Sequence, residues 1–166
     1  MDDDGSGPAD KDPPGIRTAT GALIIENEET LLVQYRNNGE EWYTPPGGGQ
    51  QFGETLHEPL QRESRAELGV ELRIGSLVAV RHYIADNNDI EGETKTHQLE
   101  LMFHCSLPDD IQPGEGCRPD ENQVAVEWVG FNSLREIYFF PEKLKPLIPS
   151  FPTRLERDRV YLGDAN

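Results

Sequence analysis

Apolar and polar positions alternate with different periods along this chain, and the period changes mark the elements. The runs "RTATGALIIE" and "TLLVQYR", separated by "NEE", predict two strands joined by a turn. "EWYTPPGG" predicts a short strand ended by Pro45 and Pro46. A helical period then holds from Thr55 to Leu68. Thr55 is placed to cap that helix, Glu58 completes a capping box, and Gly69 stands where the helix ends. Pro59 falls in the first turn, where a missing N–H is tolerated.

Further along, "VELRIGSLVAVRHYIA" predicts one bent strand, or two interrupted at Gly75, followed by the polar loop "ADNNDIEGET". "HQLELMFHCSL" alternates cleanly, with Leu99, Leu101, Phe103 and Cys105 on one face and Gln98, Glu100, Met102 and His104 on the other. "PDDIQPGEGCRPDEN" is a long acidic loop of the kind that often carries function in a compact domain. "QVAVEWVGF" predicts a late strand, Ser133 starts a short helix, and "PEKLKPLIPSF" predicts a last helix with Pro141 near its first position. "PTRLERDRVYLGDAN" either docks or stays loose. The expected fold is α+β, a mixed β-sheet covered by helices. Residues 1–15 are expected to be a flexible acidic tail, 16–152 one domain, and 153–166 a C-terminal tail.

At 166 residues the chain can bury a substantial core. The sequence shows no run of 18 apolar residues, so no membrane span is expected, and its acidic start is unlike a signal peptide. Cys105 and Cys117 lack metal-ligand spacing and suggest reduced thiols in a cytoplasmic protein. The net charge of −16 argues against a long nucleic acid as partner. Four lysines stand against eleven arginines, a composition that suits either a salt-adapted organism or an acidic mesophilic protein. A protein this acidic that handles phosphates needs a counter-charge, which a divalent cation would supply.

The helix poses the sharper question. Leu56, Leu60, Glu63 and Glu67 fall on one face, so an apolar stripe turns into carboxylate halfway along. Unpaired carboxylates turned toward a protein body are costly and repel each other. A divalent cation with hard oxygen ligands, Mg²⁺ or Mn²⁺, removes both costs. The plainer alternative is a solvated acidic face with Arg62 and Arg65 as partners. Ahead of the helix, Gly47, Gly48, Gly49 and Gly53 allow backbone to approach a ligand closely.

Gly48, five residues, Glu54, seven residues, Arg62-Glu63, then Glu67 and Gly69-Val70 resemble the signature of the Nudix hydrolase family. The flanking strands, "EWYTPPGGG" and "QVAVEWVGF" fit as well, and the resemblance covers roughly residues 16 to 150. It implies a Nudix-like α/β/α sandwich that hydrolyses a nucleoside diphosphate linked to another moiety, with Mg²⁺ as cofactor and Mn²⁺ as substitute. By position it implies that Glu63, Glu67 and the Gly48 carbonyl hold the metal. Arg62 would orient the glutamates, with a structural ion-pair role beside that, and Glu54 would support Arg62 or help hold metal. Two positions depart from the pattern. Ala66 replaces the first of two adjacent glutamates, which puts the number of ions in question, and Ser64 stands where an apolar residue is usual.

The general base is open among Glu63, Glu67 and an acid outside the motif. Of the latter, Glu100 on the polar face of "HQLEL" is preferred over Glu121 and Glu127, although a solvent-facing strand residue is the plainer account of Glu100. His82 and His97 flank the 85–94 loop within reach of a substrate or as ordinary surface residues, and His57 should be exposed. Tyr43, Tyr83 and Trp128 are candidates to stack on a base, whereas Trp42 and Trp128 on strands are by default core. The expected partner is a small nucleotide. A homodimer is compatible with the sequence and not specified by it. The competing function is a non-catalytic Nudix-like sensor of a nucleotide or nucleotide sugar, which Ala66 favours a little, while intact Glu63, Glu67 and Arg62 favour the hydrolase more. An isoprenoid diphosphate isomerase lacks an early cysteine here, and RNA decapping conflicts with the acidic charge.

Overall fold

The computed structural model describes residues 15–84, 96–114, 116, 118–153 and 160–164. The acidic tail before residue 15, the polar 85–94 loop and Cys117 lie outside the described residues, as does much of the C-terminal tail.

The first two strands, β1 (Arg17–Glu26) and β2 (Glu29–Asn37), form a hairpin. Its two turn residues, Asn27 and Glu28, have φ of 50° and 63°, the left-handed pair that matches strand twist in a two-residue hairpin. β3 (Glu40–Thr44) returns along β2 after a second such turn at Asn38-Gly39. Pro45 and Pro46 then stop the strand, as expected. The three glycines of β4 (Gly47–Gly49) come back to pair with β1.

Helix α1 (His57–Leu68) starts two residues later than the sequence suggests. Only half of the capping box forms. The Glu58 carboxylate accepts hydrogen bonds from the Thr55 N–H (2.5 Å) and hydroxyl (2.8 Å). The Thr55 hydroxyl therefore serves as a donor to Glu58 and caps no helix N–H. Gly69 ends the helix in the left-handed conformation, φ 72°.

β5 (Arg73–Ile84) is one strand bent by register shifts between Ile74 and Ala79, so the single bent strand is the correct alternative. β6 (His97–Ser106) and β7 (Gln123–Gly130) follow. The main path of the sheet runs β3-β2-β1-β6-β5, with β4 attached to β1 and β7 to β2. A last strand, β8 (Tyr161–Asp164), lies parallel to β5 at the edge, so this part of the C-terminal segment docks. Since β1 and β6 are also parallel, the sheet is mixed.

The central strands carry apolar side chains on both faces, as strands covered on two sides must. Ala22, Ile24, Leu31 and Val33 point to one core, together with Leu60 and Leu68 of α1, Phe103 and Cys105. Leu23, Leu32 and Met102 point to the other, together with Leu134, Leu144, Ile148 and Phe151. Each fully buried leucine contributes about 1.5–3 kcal/mol by leaving water. Met102 thus belongs to a second core, and the polar face of "HQLELMFHCSL" is polar only toward its start.

The expected last helix is present and is a 3₁₀ run, Glu142–Thr153. Pro146, Pro149 and Pro152 supply no N–H and would clash with the carbonyl four residues back in an α-helix. Their spacing of three matches the three-residue turn of a 3₁₀ helix. The run still buries Leu144, Ile148 and Phe151, so it covers the sheet face opposite α1 and completes the expected sandwich. The short helix expected at Ser133 is one 3₁₀ turn, Ser133–Arg135.

Candidate active site

α1 lies beside β4 and sends its acids toward those glycines. Glu67 is the buried member, 3% exposed. Its Oε1 accepts a hydrogen bond from the Tyr35 hydroxyl at 2.9 Å, and its Oε2 accepts one from the Gly47 N–H at 3.1 Å. Burial pushes the Glu67 carboxyl up to about 8, against those two hydrogen bonds, and the nearby charges of Glu63 and Asp120 push the same way as burial. The Tyr35 hydroxyl also lies 3.3 Å from Asp120 Oδ2. Burial, followed by the charge of Glu67, holds the Tyr35 phenol well above its ordinary range, so it stays a neutral donor.

One helical turn earlier, Glu63 packs on Gly48. A Cβ built there would sit 2.8 Å from Glu63 Cδ, so glycine is required for the carboxylate to come this close. Arg62 ties the pieces together. Its Nε donates to Glu54 Oε1 at 2.9 Å, its Nη2 to Glu54 Oε2 at 3.0 Å and to the Gly49 carbonyl at 2.9 Å, and its Nη1 to Glu63. The fork-shaped pairing with Glu54 suits a guanidinium. Arg62 holds the Glu54 carboxyl below its ordinary range, helped by the Gln51 N–H.

The structure therefore brings Gly48, Glu54, Arg62, Glu63 and Glu67 together. The solvated-face alternative fails for Glu67, while Arg65 does face out and pairs with Glu71. Ser64 is fully buried, its hydroxyl satisfied by the Gln61 carbonyl at 3.1 Å, which explains how a polar residue fits an apolar position.

Glu100 stands apart from this cluster. It shares a face with Met102, the face opposite α1, where Arg81 Nε donates to its carboxylate at 2.5 Å. Arg81 is itself 2% exposed and packs against the rings of Tyr83 and Phe140. His82 Nδ1 and His97 Nε2 are 2.9 Å apart, an imidazole pair across β5 and β6. His57 is exposed as expected and touches Phe103 edge-on. Trp42 stacks on Tyr35, Trp128 packs against the first core, and Tyr83 is buried. Tyr43 donates to Glu127 at 3.3 Å. A groove of about 1070 Å³, lined in part by Asn27, Phe131, Arg135, Lys143 and Pro149, lies away from the carboxylates.

Sequence reasoning missed Tyr35, Asp120 and Gln123. The acidic loop does more than add charge, because it closes the end of α1. Gly114 N–H donates to the Leu68 carbonyl (3.0 Å), Arg118 N–H to that of Ala66 (3.2 Å) and Gln123 Nε2 to that of Glu67 (2.9 Å). These are carbonyls that a helix end leaves unsatisfied. The same loop carries Asp120 to the Tyr35 hydroxyl. The loop's length and acidity were visible, but nothing separated Asp120 from its acidic neighbours.

A divalent ion fits the chemistry of this donor set. Glu63 and Glu67 are hard oxygen donors one turn apart, and no group of three His, Cys, Asp or Glu side chains among the described residues forms a ready-made cage. Mg²⁺ characteristically takes one or two carboxylates and completes its shell with water and substrate phosphate.

Solved Nudix hydrolases share this fold. One from Nitrosomonas europaea superposes with a TM-score of 0.65 at 18% identity, covering 92% of this chain and 81% of that one. An ADP-ribose pyrophosphatase from Streptococcus suis gives 0.63 at 18% identity, covering 90% of this chain and 100% of that one. The chain belongs to the Nudix family, since the NUDIX domain profile matches residues 15–151. Among curated relatives, the low-salt glycan biosynthesis protein Agl8 of Haloferax volcanii is 36% identical over 92 residues, 53% of this chain and 58% of that protein. The ADP-ribose pyrophosphatase of Methanocaldococcus jannaschii is 28% identical over 127 residues, 76% of this chain and 69% of that protein. The chain thus spans little more than half the length of the first of these relatives.

Proposed function

We propose that this protein is a Mg²⁺-dependent pyrophosphohydrolase. It would cleave a phosphoanhydride bond in a small nucleotide whose diphosphate is linked to another moiety, such as ADP-ribose, a nucleotide sugar or a nucleoside triphosphate. One observation carries the reading. Glu67 is a nearly fully buried carboxyl whose ionised form is disfavoured by burial, and it stands beside Glu63 with no basic side chain bonded to it among the described residues. Such a group makes sense as a cation ligand. The likeness to two ADP-ribose pyrophosphatases supports the substrate class.

In this reading Glu63 and Glu67 hold the ion, with backbone carbonyl oxygen at Gly48 as a further ligand. When bound, Mg²⁺ supplies charge neutralisation for phosphate oxygens and acidifies a water. Arg62 keeps the Glu63 carboxylate aimed and fixes the Gly49 carbonyl, so α1 and the glycine strand move as one unit. Tyr35 and the Gly47 N–H fix the Glu67 oxygens. A proton acceptor for the attacking water is available in the cluster from Glu63, Glu67 or Asp120. Glu100 would have to leave its pairing with Arg81 to take that role. The free, buried thiol of Cys105 suits a reducing, cytoplasmic setting. Among the described residues, no helix is long and apolar enough to cross a membrane.

The test is a panel of ADP-ribose, nucleotide sugars, dinucleoside polyphosphates and oxidised nucleoside triphosphates, assayed with Mg²⁺ and with chelator. Turnover that needs Mg²⁺ on at least one substrate supports the reading. Ala66, in place of an acid, favours the sensor alternative, and that alternative takes over if nucleotides bind without being hydrolysed.

A further inference from the structure

Five of the described arginines, Arg36, Arg62, Arg65, Arg73 and Arg81, are ion-paired with a carboxylate. Arg17 is different. It opens β1, is exposed, and its side chain makes no hydrogen bond or ion pair among the described residues, although acids outnumber basic residues 31 to 15. Its side chain is nevertheless placed. A Cβ built on Gly49 would overlap the Arg17 guanidinium, with Cζ only 2.8 Å away, so the guanidinium lies against the backbone of β4. The Gly49 carbonyl is the one that Arg62 holds. Successive residues of a strand face opposite ways, so Glu63 on Gly48 and Arg17 on Gly49 flank the same thin strand from its two sides.

The charge balance of the site asks for such a group. Glu54, Glu63, Glu67 and Asp120 are four carboxylates against one arginine, Arg62. One divalent ion leaves that set net negative, and it would still repel a diphosphate. On the Arg17 face, Glu100 is already neutralised by Arg81 and does not compete for Arg17.

We propose that Arg17 is a phosphate-binding residue, whose guanidinium takes the phosphate of a diphosphate substrate that lies farther from Glu63 and Glu67. The assignment rests on the hydrolase reading for its substrate class, and its geometry stands independently. It makes Gly49 a required glycine, since any side chain there would displace the guanidinium. It also predicts that Arg17 acts on binding much more than on turnover.

Binding of inorganic pyrophosphate in the presence of Mg²⁺, measured by calorimetry, tests this on the full chain. The variants are Arg17→Gln, Arg17→Lys and Arg135→Gln. Arg135 is another exposed arginine with no ion pair among the described residues, and it lies by the groove away from the carboxylates. Arg17→Gln should weaken pyrophosphate binding about tenfold or more, the size expected for a hydrogen bond to a charged group. Its melting temperature should match the parent, because no partner is lost. Arg17→Lys should restore part of the affinity, since it keeps charge but not the planar fork. Arg135→Gln should bind like the parent. On a hydrolysed substrate, Arg17→Gln should raise KM and leave kcat within a few-fold.

The proposal is overturned if Arg17→Gln binds pyrophosphate as the parent does, if Arg135→Gln weakens binding equally, or if the parent binds no pyrophosphate. Loss of binding specific to Arg17→Gln, together with a panel that shows no hydrolysis, would uphold this site and remove the hydrolase reading. Mg²⁺-dependent hydrolysis with unchanged pyrophosphate binding in Arg17→Gln would do the reverse.

Discussion

The Tyr35 hydroxyl sits 2.9 Å from Glu67 Oε1, a contact between a strand and a helix residue that are 32 positions apart in sequence. It fixes one oxygen of the buried carboxyl while the Gly47 N–H fixes the other. Tyr35→Phe removes the hydroxyl and leaves the ring stacked on Trp42. Partners that orient a ligand are typically worth ten- to a hundredfold in metal affinity. The variant should therefore need about tenfold more Mg²⁺ for half of the maximal Mg²⁺-induced rise in melting temperature. An unchanged Mg²⁺ titration would mean that Glu67 does not hold the ion.

Glu67→Gln keeps the shape of the side chain and removes the charge. Activity should fall about a hundredfold or more, as when an oriented electrostatic group is lost from a site. The fold should survive, because the amide can still accept from Tyr35 or Gly47. Circular dichroism and a steady-state assay on the same preparation read both halves of this outcome.

Without divalent cations, stability should depend on pH through Glu67. Its folded pKa, about 8, stands above the ordinary 4.5, so the folded chain binds this proton more tightly than the unfolded chain. The contribution is fully present below about 4.5 and is lost as pH rises through about 8. The melting temperature in chelator should fall across that window, and Glu67→Gln should flatten the fall. Saturating Mg²⁺ should flatten it as well, because the ion favours the ionised carboxylate. Parallel profiles for parent and Glu67→Gln would show that another group sets the slope.

Gly48→Ala tests the close packing of Glu63. A methyl group there comes within 2.8 Å of Glu63 Cδ, so the side chain must swing away from β4. Because a flexible side chain gives way, the melting temperature should drop only slightly, while activity falls at least tenfold. Gly116→Ala should behave oppositely. Its Cβ meets the backbone of Ala66 and lies 2.8 Å from the Glu67 carbonyl carbon, and neither can step aside cheaply. A loss of about 1–3 kcal/mol in stability is expected from this overpacking, measured by denaturant unfolding.

The sequence made the glycine strand and α1 legible because both follow local rules. Fixed spacing ties Gly48 to Glu54, Arg62, Glu63 and Glu67, and Gly69 needs only its own left-handed backbone to end the helix. Alternation made most strands readable for the same reason. Tyr35 was hidden because "TLLVQYR" reads as an apolar strand, and its partner is set by how α1 packs on β4 and β1. Asp120 was hidden among the acids of its loop. The last helix was legible but its type was not, because the apolar spacing of Leu144, Ile148 and Phe151 suits either helix type and only the three prolines decide for 3₁₀. β8 is four residues whose pairing depends on the edge that β5 leaves open, which no local pattern announces.

The loop that closes the end of α1 bears on how this protein can change over evolutionary time. Surface loops ordinarily absorb insertions and deletions, since little depends on their path. Here Gly114, Arg118 and Gln123 grip three successive parts of one helix end, Leu68, Ala66 and Glu67. A residue added or removed between Gly114 and Gln123 would put at least one of those grips out of step and drag Asp120 from Tyr35. Apart from Gly116, Asp120 and Gln123, whose identities these contacts use, the stretch is therefore free to drift in composition but not in length. Its natural sites for indels are on the 108–112 side, ahead of the first grip.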